Sequence, residues 1–378
     1  MNIAIFTDTY FPQINGVVIS TDTFKKSFEE MGHTVYIMCP KIKGYKDESD
    51  AVWRFPSVPY PFQREYRLVM PYSKKLKKFS ELNIDVIHAQ TPFSMGYLAG
   101  YLGKKYKIPV VHTYHTFFME YVHYVPLLPK KWMKKWATGE SRRFCNRCKA
   151  IVVPSSEMKS PLLEYGVTVP IDVIPTGVTP PVVSEQDKNT FLKESGISAS
   201  DNLLVFAGRL GLEKNIYFLF EAFAQILKRV PQSKLLIIGD GPERENLESK
   251  IKKHGLSSAV VFTGYLSRED VFTALSASKC LLFPSKTETQ GLTVVESLSV
   301  GTPVVCINEM GVRDVLENEK GGFLTEDSID DYVEKTVLLL ENESIYQEKK
   351  KAALERAKEF SELKSAKKMI SIFERVCQ

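Results

Sequence analysis

Apolar positions along the chain fall into two alternating patterns. Short unbroken apolar runs, Asn2 to Phe6, Val35 to Cys39, Val86 to His88, Val110 to His112 and Ala150 to Val153, are too short for helices and lack the polar alternation of a half-exposed strand. Such runs predict strands buried on both faces, the signature of a parallel sheet. Between them the spacing turns helical, as in Ser20–Met31, where Phe24, Phe28 and Met31 share a face and Gly32 ends the run. Ile171 to Val178 reads as a strand closing in a glycine turn, and Thr179-Pro180-Pro181 as a linker. The pattern then restarts. Strands are predicted over Leu203–Ala207, Leu235–Gly239, Val260–Phe262, Cys280–Phe283 and Val304–Ile307, with helices over Phe218–Lys228, Asn246–His254 and Asp270–Ser276.

Strand, loop, helix, strand succession in both halves predicts an α/β chain of two Rossmann-like, doubly wound domains facing a cleft. The expected boundaries are 1–178 and 182–359. Tyr332 to Val376 reads as charged helix, long enough to return to the first domain, so that about 360–378 is counted with it. Ligands of such sheets sit at the carboxyl ends of the strands, which directs attention to the loops there.

One stretch, residues 284–303, carries the most. After the run Cys280–Phe283, Pro284 and Ser285 break the strand and a polar loop holds Glu288. From Gly291 the period becomes helical, and Gly301-Thr302-Pro303 stops it. The amides of Gly291 and Leu292 then stand at a helix start, which carries roughly half a positive charge and seats phosphates well. Glu296 lies in the second turn. Two carboxylates beside an anion seat make sense for a sugar nucleotide, whose hydroxyls need acceptors near its phosphates; as plain loop and helix acids they need no ligand at all. The loop Gly208-Arg209-Leu210-Gly211-Leu212-Glu213-Lys214 follows the first strand of the second half, and Arg209 and Lys214 can clamp a diphosphate, the first through its fork and the second as a point charge. Asn15-Gly16 follows the first strand of the chain without a G-x-G-x-x-G fingerprint. His112-Thr113-Tyr114-His115-Thr116 follows the strand Val110–Val111, and because strand neighbours alternate faces only one of the two histidines can easily reach a cleft. Phe117, Phe118, Tyr121, His123 and Tyr124 add either core or an apolar wall.

Charge changes the picture once it is divided. The 378 residues carry a net +5, but residues 1–180 hold 24 Lys and Arg against 15 Asp and Glu, a net of +9, and the remainder is −4. The excess gathers in Lys74, Lys75, Lys77 and Lys78 between Tyr72 and Phe79, and in Lys130, Lys131, Lys134 and Lys135 around Trp132 and Trp136, with Arg142, Arg143 and Arg147 downstream. Lysines interleaved with aromatics read as docking on an anionic bilayer, or else as solvated helix faces over core aromatics. No nucleic-acid motif accompanies them. No apolar run reaches the roughly 20 residues of a spanning helix, and Met1–Phe6 runs straight into Thr7-Asp8, so neither a transmembrane segment nor a signal peptide is expected. Six cysteines, several within strand-like runs, suggest core residues of a reducing compartment. The lone C-x-x-C of Cys145 and Cys148 lacks the second pair a zinc site needs.

Taken together, these residues resemble the family 4 retaining glycosyltransferases, of GT-B architecture. Glu288 to Glu296 looks like the family's E-x7-E motif, Gly208-Arg209 to Lys214 like its phosphate-clamp loop, Asn15-Gly16 like its N-terminal glycine loop and Tyr114-His115-Thr116 like its catalytic histidine segment, in the expected order over nearly the whole chain. Asn15 stands where the family often has a second glycine. Within the family the similarity is closest to bacterial diacylglycerol glucosyltransferases and, more distantly, to phosphatidylinositol mannosyltransferases. The resemblance implies transfer of a hexose from a UDP- or GDP-sugar to a lipid hydroxyl. His115, Glu288, Arg209 and Lys214 would be catalytic. Donor contacts would come from Gly16, Asn15, Gly241, Leu266, Gln290, Gly291, Leu292 and Glu296, with Asp240–Glu243 and Tyr265-Leu266 around the base. No D-x-D motif occurs, in keeping with a metal-independent enzyme and no cofactor. A peripheral position on the cytoplasmic face of the membrane follows. A soluble or polysaccharide acceptor, or epimerisation of the nucleotide sugar, are the alternatives.

Overall fold

The computed structural model describes residues 1–47, 49–59, 67–70, 73–115 and 130–378, with backbone alone at Lys74, Lys130 and Lys131. The chain divides into two compact units, Met1–Gly177 with Glu362–Gln378, and Val178–Ser361.

The first unit holds strands β1 (Asn2–Phe6), β2 (Thr34–Pro40), β3 (Val52–Phe55), an antiparallel ribbon of β4 (Ser57–Pro59) and β5 (Arg67–Val69), then β6 (Val86–Ala89), β7 (Val110–Thr113), β8 (Ala150–Val153) and β9 (Ile171–Val173). Apart from the ribbon these form one sheet in the order β3-β2-β1-β6-β7-β8-β9, every neighbouring pair parallel. β1 has β2 on one side and β6 on the other, so the winding reverses between β1 and β6.

The second unit repeats the scheme with β10 (Asn202–Ala207), β11 (Ser233–Ile238), β12 (Val260–Gly264), β13 (Cys280–Phe283), β14 (Val304–Ile307) and β15 (Gly322–Thr325), in the order β12-β11-β10-β13-β14-β15. Its reversal lies between β10 and β13. The strands read as solid apolar runs because both faces are covered. Leu204 and Phe206 of β10 enter one core with Leu282 and Val305, while Leu203 and Val205 enter the other with Leu281 and Val304. Cys280 and Cys306 are buried free thiols on opposite faces of this sheet, and Cys145 and Cys148 are buried free thiols as well.

The charged segment Tyr332–Val376 is not one helix. It comprises the helices Ile329–Glu341, Glu343–Ala357 and Glu362–Cys377. Asn342 leaves helical geometry and accepts from the Ile345 amide at 3.1 Å, capping the second helix and ending the first, and Ser361 is extended before the third. Only the third belongs to the first unit. There Ala366, Met369, Ile370, Ile372 and Phe373 complete the core formed by Ile3, Ile5, Phe24 and Phe28.

Candidate functional site

In the second unit, the two loops singled out in the sequence leave the carboxyl ends of β10 and β13, the strands on either side of the winding reversal. Sheets of this kind bind ligands at such a point. The loops are stitched together: Asn215 donates to the Pro284 carbonyl at 3.2 Å, Ser285 to the Glu213 carbonyl at 3.4 Å, and the Lys214 ammonium pairs with the Glu288 carboxylate across 74 positions of sequence. Arg209 reaches Glu213 at 3.3 Å, with the Glu213 side chain only 4% exposed against 24% for Arg209. Each of the two cations is therefore held by a carboxylate, and Arg209 is the more accessible member of its pair. Glu213, which periodicity does not single out, is the anchor of that loop.

Gly291 takes φ 82° and ψ 60°, a left-handed conformation that favours glycine, and turns the chain into the helix Leu292–Ser299. The Val294 and Val295 amides close onto the Gly291 carbonyl, so the amides of Gly291 and Leu292 head the helix ahead of its internal hydrogen bonds. Gln290 is buried behind them. The loop after β14 supports this turn from outside: the Gly311 amide donates to the Glu288 carbonyl at 2.9 Å, and a side chain at Gly311 would collide with the Thr289 carbonyl. Glu296 is buried one turn into the helix, and burial pushes its carboxyl up to about 7, while the Arg268 guanidinium 3.8 Å away pulls it down. Gly241 has a packing reason of its own, since a Cβ there would lie 2.5 Å from the Leu210 carbonyl. Asp240 accepts from the Gly241 amide at 2.7 Å, Leu266 is half-buried, and Tyr265 is exposed beside them.

In the first unit the corresponding reversal lies between β1 and β6. Asn15, expected among the donor contacts, is the N-cap of the helix Gly16–Glu30: its side-chain oxygen accepts from the Val18 amide at 3.0 Å and its amide donates to Thr9 at 2.8 Å. That cap starts the helix ahead of the apolar spacing. A side chain at Gly16 would meet no atom within 4 Å among the described residues. His112 and His115 divide as strand alternation requires. His112 is fully buried, donating from Nδ1 to the Ala89 carbonyl at 2.8 Å, whereas His115 is half-buried with Nε2 2.6 Å from the Gln90 side-chain oxygen. Burial lowers His115 to about 3, with His112 adding to it, so its imidazole is neutral at pH 7. Tyr114 is core, bonded to Ser141 at 2.9 Å. The aromatic positions Phe117, Phe118, Tyr121, His123 and Tyr124 lie outside the described residues.

The two basic stretches differ. Phe79 is buried against Phe6 and Tyr106 while Lys75, Lys77 and Lys78 face outward; Tyr72 lies outside the described residues. On the helix Lys130–Cys145, by contrast, Met133, Ala137 and Phe144 are buried, and Trp132 and Trp136 are 76% and 63% exposed with Lys134 and Lys135 beside them. A further stripe escaped the sequence reading. Phe93, Tyr97 and Tyr101 recur every four residues along the helix Ser94–Tyr106 and are all exposed, and Tyr97 bonds to Glu140 of the tryptophan helix. No helix among the described residues is long and apolar enough to cross a membrane.

Comparison with known proteins gives the family. Residues 14–180 match the family model Glycosyltransferase Family 4, and residues 187–360 the model Glycosyl transferases group 1. An alpha-monoglucosyldiacylglycerol synthase of Streptococcus pneumoniae is 33% identical over 333 residues, covering 86% of this chain and 75% of that protein. The chain is a family 4 glycosyltransferase. This glycosyltransferase is also 31% identical to the alpha-monoglucosyldiacylglycerol synthase of Acholeplasma laidlawii, over 85% of its own length and 84% of the relative's. Anabaena Alr3699/HepE, solved in complex with UDP and glucose, shares its fold with a TM-score of 0.79 at 17% identity, over 99% of this chain and 100% of that one. The glycosyltransferase accordingly has the GT-B fold of two parallel-sheet units, and is a hexosyltransferase.

Proposed function

We propose that this enzyme moves a hexose, glucose in preference, from a nucleotide diphosphate sugar to the hydroxyl of a membrane lipid such as 1,2-diacylglycerol, with retention of anomeric configuration. The observation that carries the acceptor is similarity along most of the chain to two alpha-monoglucosyldiacylglycerol synthases. In this reading Arg209, Lys214 and the amides of Gly291 and Leu292 stabilise the departing diphosphate, taking the part a divalent ion plays elsewhere. Glu296 accepts from ribose hydroxyls and Glu288 from hexose hydroxyls. Glu288 reaches the sugar while paired to Lys214. His115 contacts the sugar near its anomeric carbon. Gly16 leaves room for close approach of the donor to backbone, a use that agrees with the open space a side chain there would enter among the described residues. The bond from the anomeric carbon to the diphosphate breaks as the acceptor oxygen joins on the same face, and the acceptor's proton passes to the departing phosphate oxygen. Trp132, Trp136 and the neighbouring lysines, together with Phe93, Tyr97 and Tyr101, would bring the first unit to the lipid surface.

The test is transfer of labelled glucose from UDP-glucose to diacylglycerol in anionic vesicles. Arg209→Ala is expected to lower turnover roughly a hundredfold or more in a protein that still folds, and wild-type turnover in that variant overturns the clamp. Transfer by the wild type to a soluble sugar but to no vesicle lipid overturns the acceptor.

A further inference from the structure

His115 is oriented by a residue that no motif singles out. Gln90 follows β6 directly, at the winding reversal of the first sheet, and its amide donates to the Phe6 carbonyl at 2.8 Å, fixing its backbone to the end of β1. Its side chain is 1% exposed. The side-chain oxygen lies 2.6 Å from His115 Nε2, and the side-chain nitrogen lies 3.1 Å from Nδ1 and 3.2 Å from Nε2 of His88. His88 in turn bonds through Nε2 to the Thr113 hydroxyl at 2.7 Å and packs its ring edgewise on Phe373 of the last helix. A contact of 2.6 Å is at the short end for N–H···O, and shorter than a nitrogen–nitrogen hydrogen bond allows, so the carboxamide oxygen belongs at that end. That oxygen can only accept. His115 Nε2 must then carry the proton, and a neutral imidazole has only one, leaving Nδ1 with its lone pair.

We infer that Gln90 is the positioning residue for His115, holding it as the Nε2–H tautomer so that Nδ1 can accept a hydrogen bond from a hydroxyl of the donor sugar. This rests on the reading of His115 as a donor contact. Among the described residues, His112, on the strand that leads to it, acts on His115, and both rings act on His88, on the neighbouring strand. Burial lowers His112 to about 4 and His88 to about 3. All three rings are therefore uncharged across neutral pH, and what Gln90 decides is the tautomer rather than the charge.

The tautomer is read directly from the nitrogen shifts of His115 in donor-free protein labelled with ¹⁵N-histidine, assigned with His115→Ala. Protonated Nε2 is expected, and protonated Nδ1 in the wild type overturns the inference whatever the variants do. Gln90→Met, of nearly equal size but without the acceptor, is expected to mix the tautomers and lower kcat roughly ten- to a hundredfold, with the donor KM moved less than threefold. Gln90→Glu places a carboxylate on Nε2 and so raises the His115 pKa. Its kcat at saturating donor is expected to rise with pH between about 5.5 and 8, where the wild type is flat. Wild-type kcat in Gln90→Met, or a flat profile in Gln90→Glu, sinks the inference. His115→Ala separates the two levels: wild-type turnover there removes the donor-contact reading itself, while a loss there without one in Gln90→Met removes only the role of Gln90.

Discussion

Glu296 is a carboxyl kept at a cost to the fold. Its proton is bound more tightly in the folded chain, near 7 against an ordinary 4.5, so the sign of its linkage is fixed. The folded state is favoured below 4.5, and stability is lost as the pH rises from 4.5 to about 7, by on the order of 3 kcal/mol at the plateau. Glu296→Gln removes that loss. In urea melts the variant is expected to be the more stable protein at pH 8, with the gap closing towards pH 5, while UDP-glucose binding measured by calorimetry weakens at least tenfold at pH 8. A gap of the same size at both pH values would show that the carboxyl does not titrate as its burial requires. Among residues, what could be read from the chain was type and spacing over short stretches, Arg209 with Lys214 after one strand and Glu288 with Glu296 after another. What was not legible are the partners. Glu213 under Arg209, Arg268 beside Glu296 and Gln90 against His115 act through contacts that only folding brings about, between residues 4, 28 and 25 positions apart. At Asn15 the residue type could be read but not the use. A polar residue before a glycine at a helix start serves equally as a cap or a contact, and the cap is what the backbone uses.

At the scale of elements, the return of the last helix to the first unit is the feature with the clearest energetic consequence. Phe373 is fully buried, its ring 5.7 Å from that of Phe28 and 5.3 Å from that of His88. Truncating a buried phenylalanine costs roughly 3–5 kcal/mol. Phe373→Ala is therefore expected to lower the stability of the first unit by that amount, seen as an earlier urea transition in tryptophan fluorescence, since Trp53, Trp132 and Trp136 all belong to that unit. A midpoint unmoved by the substitution would mean that the helix adds nothing to the core. Length alone allowed the return, and the breaks were not readable. In Tyr332–Val376 the polar and charged residues that disguise a cap at Asn342 are the same kinds that fill a solvated helix face. The central strands were legible because both their faces are dry and most of their residues are apolar. β3 and β15 passed unnoticed: Val52–Phe55 carries Arg54 in its middle, and Gly322–Thr325 opens on a glycine, so neither forms an unbroken apolar run.

For the molecule as a whole, the division of charge is the property that no single element explains. A net of +9 on the first 180 residues against −4 on the rest gives the chain an acidic and a basic part. The basic part carries the exposed Trp132 and Trp136, one helical turn apart and flanked by Lys134 and Lys135. Lysines near an anionic surface contribute about 1 kcal/mol each and are screened by salt, whereas indole rings at the interface bind through apolar area and are not. The two contributions can therefore be separated by ionic strength. Cosedimentation with vesicles rich in anionic lipid is expected to fall steeply between about 0.05 and 0.5 M salt, over which the Debye length shrinks to about a third, and to leave a residue of binding at the upper end. Trp132→Ala with Trp136→Ala should abolish that residue while the low-salt binding keeps its slope. Replacing Lys134 and Lys135 by Gln should flatten the slope and spare the residue. Binding indifferent to anionic lipid, or to both pairs of substitutions, would assign these side chains to solvent and return the acceptor to the aqueous phase.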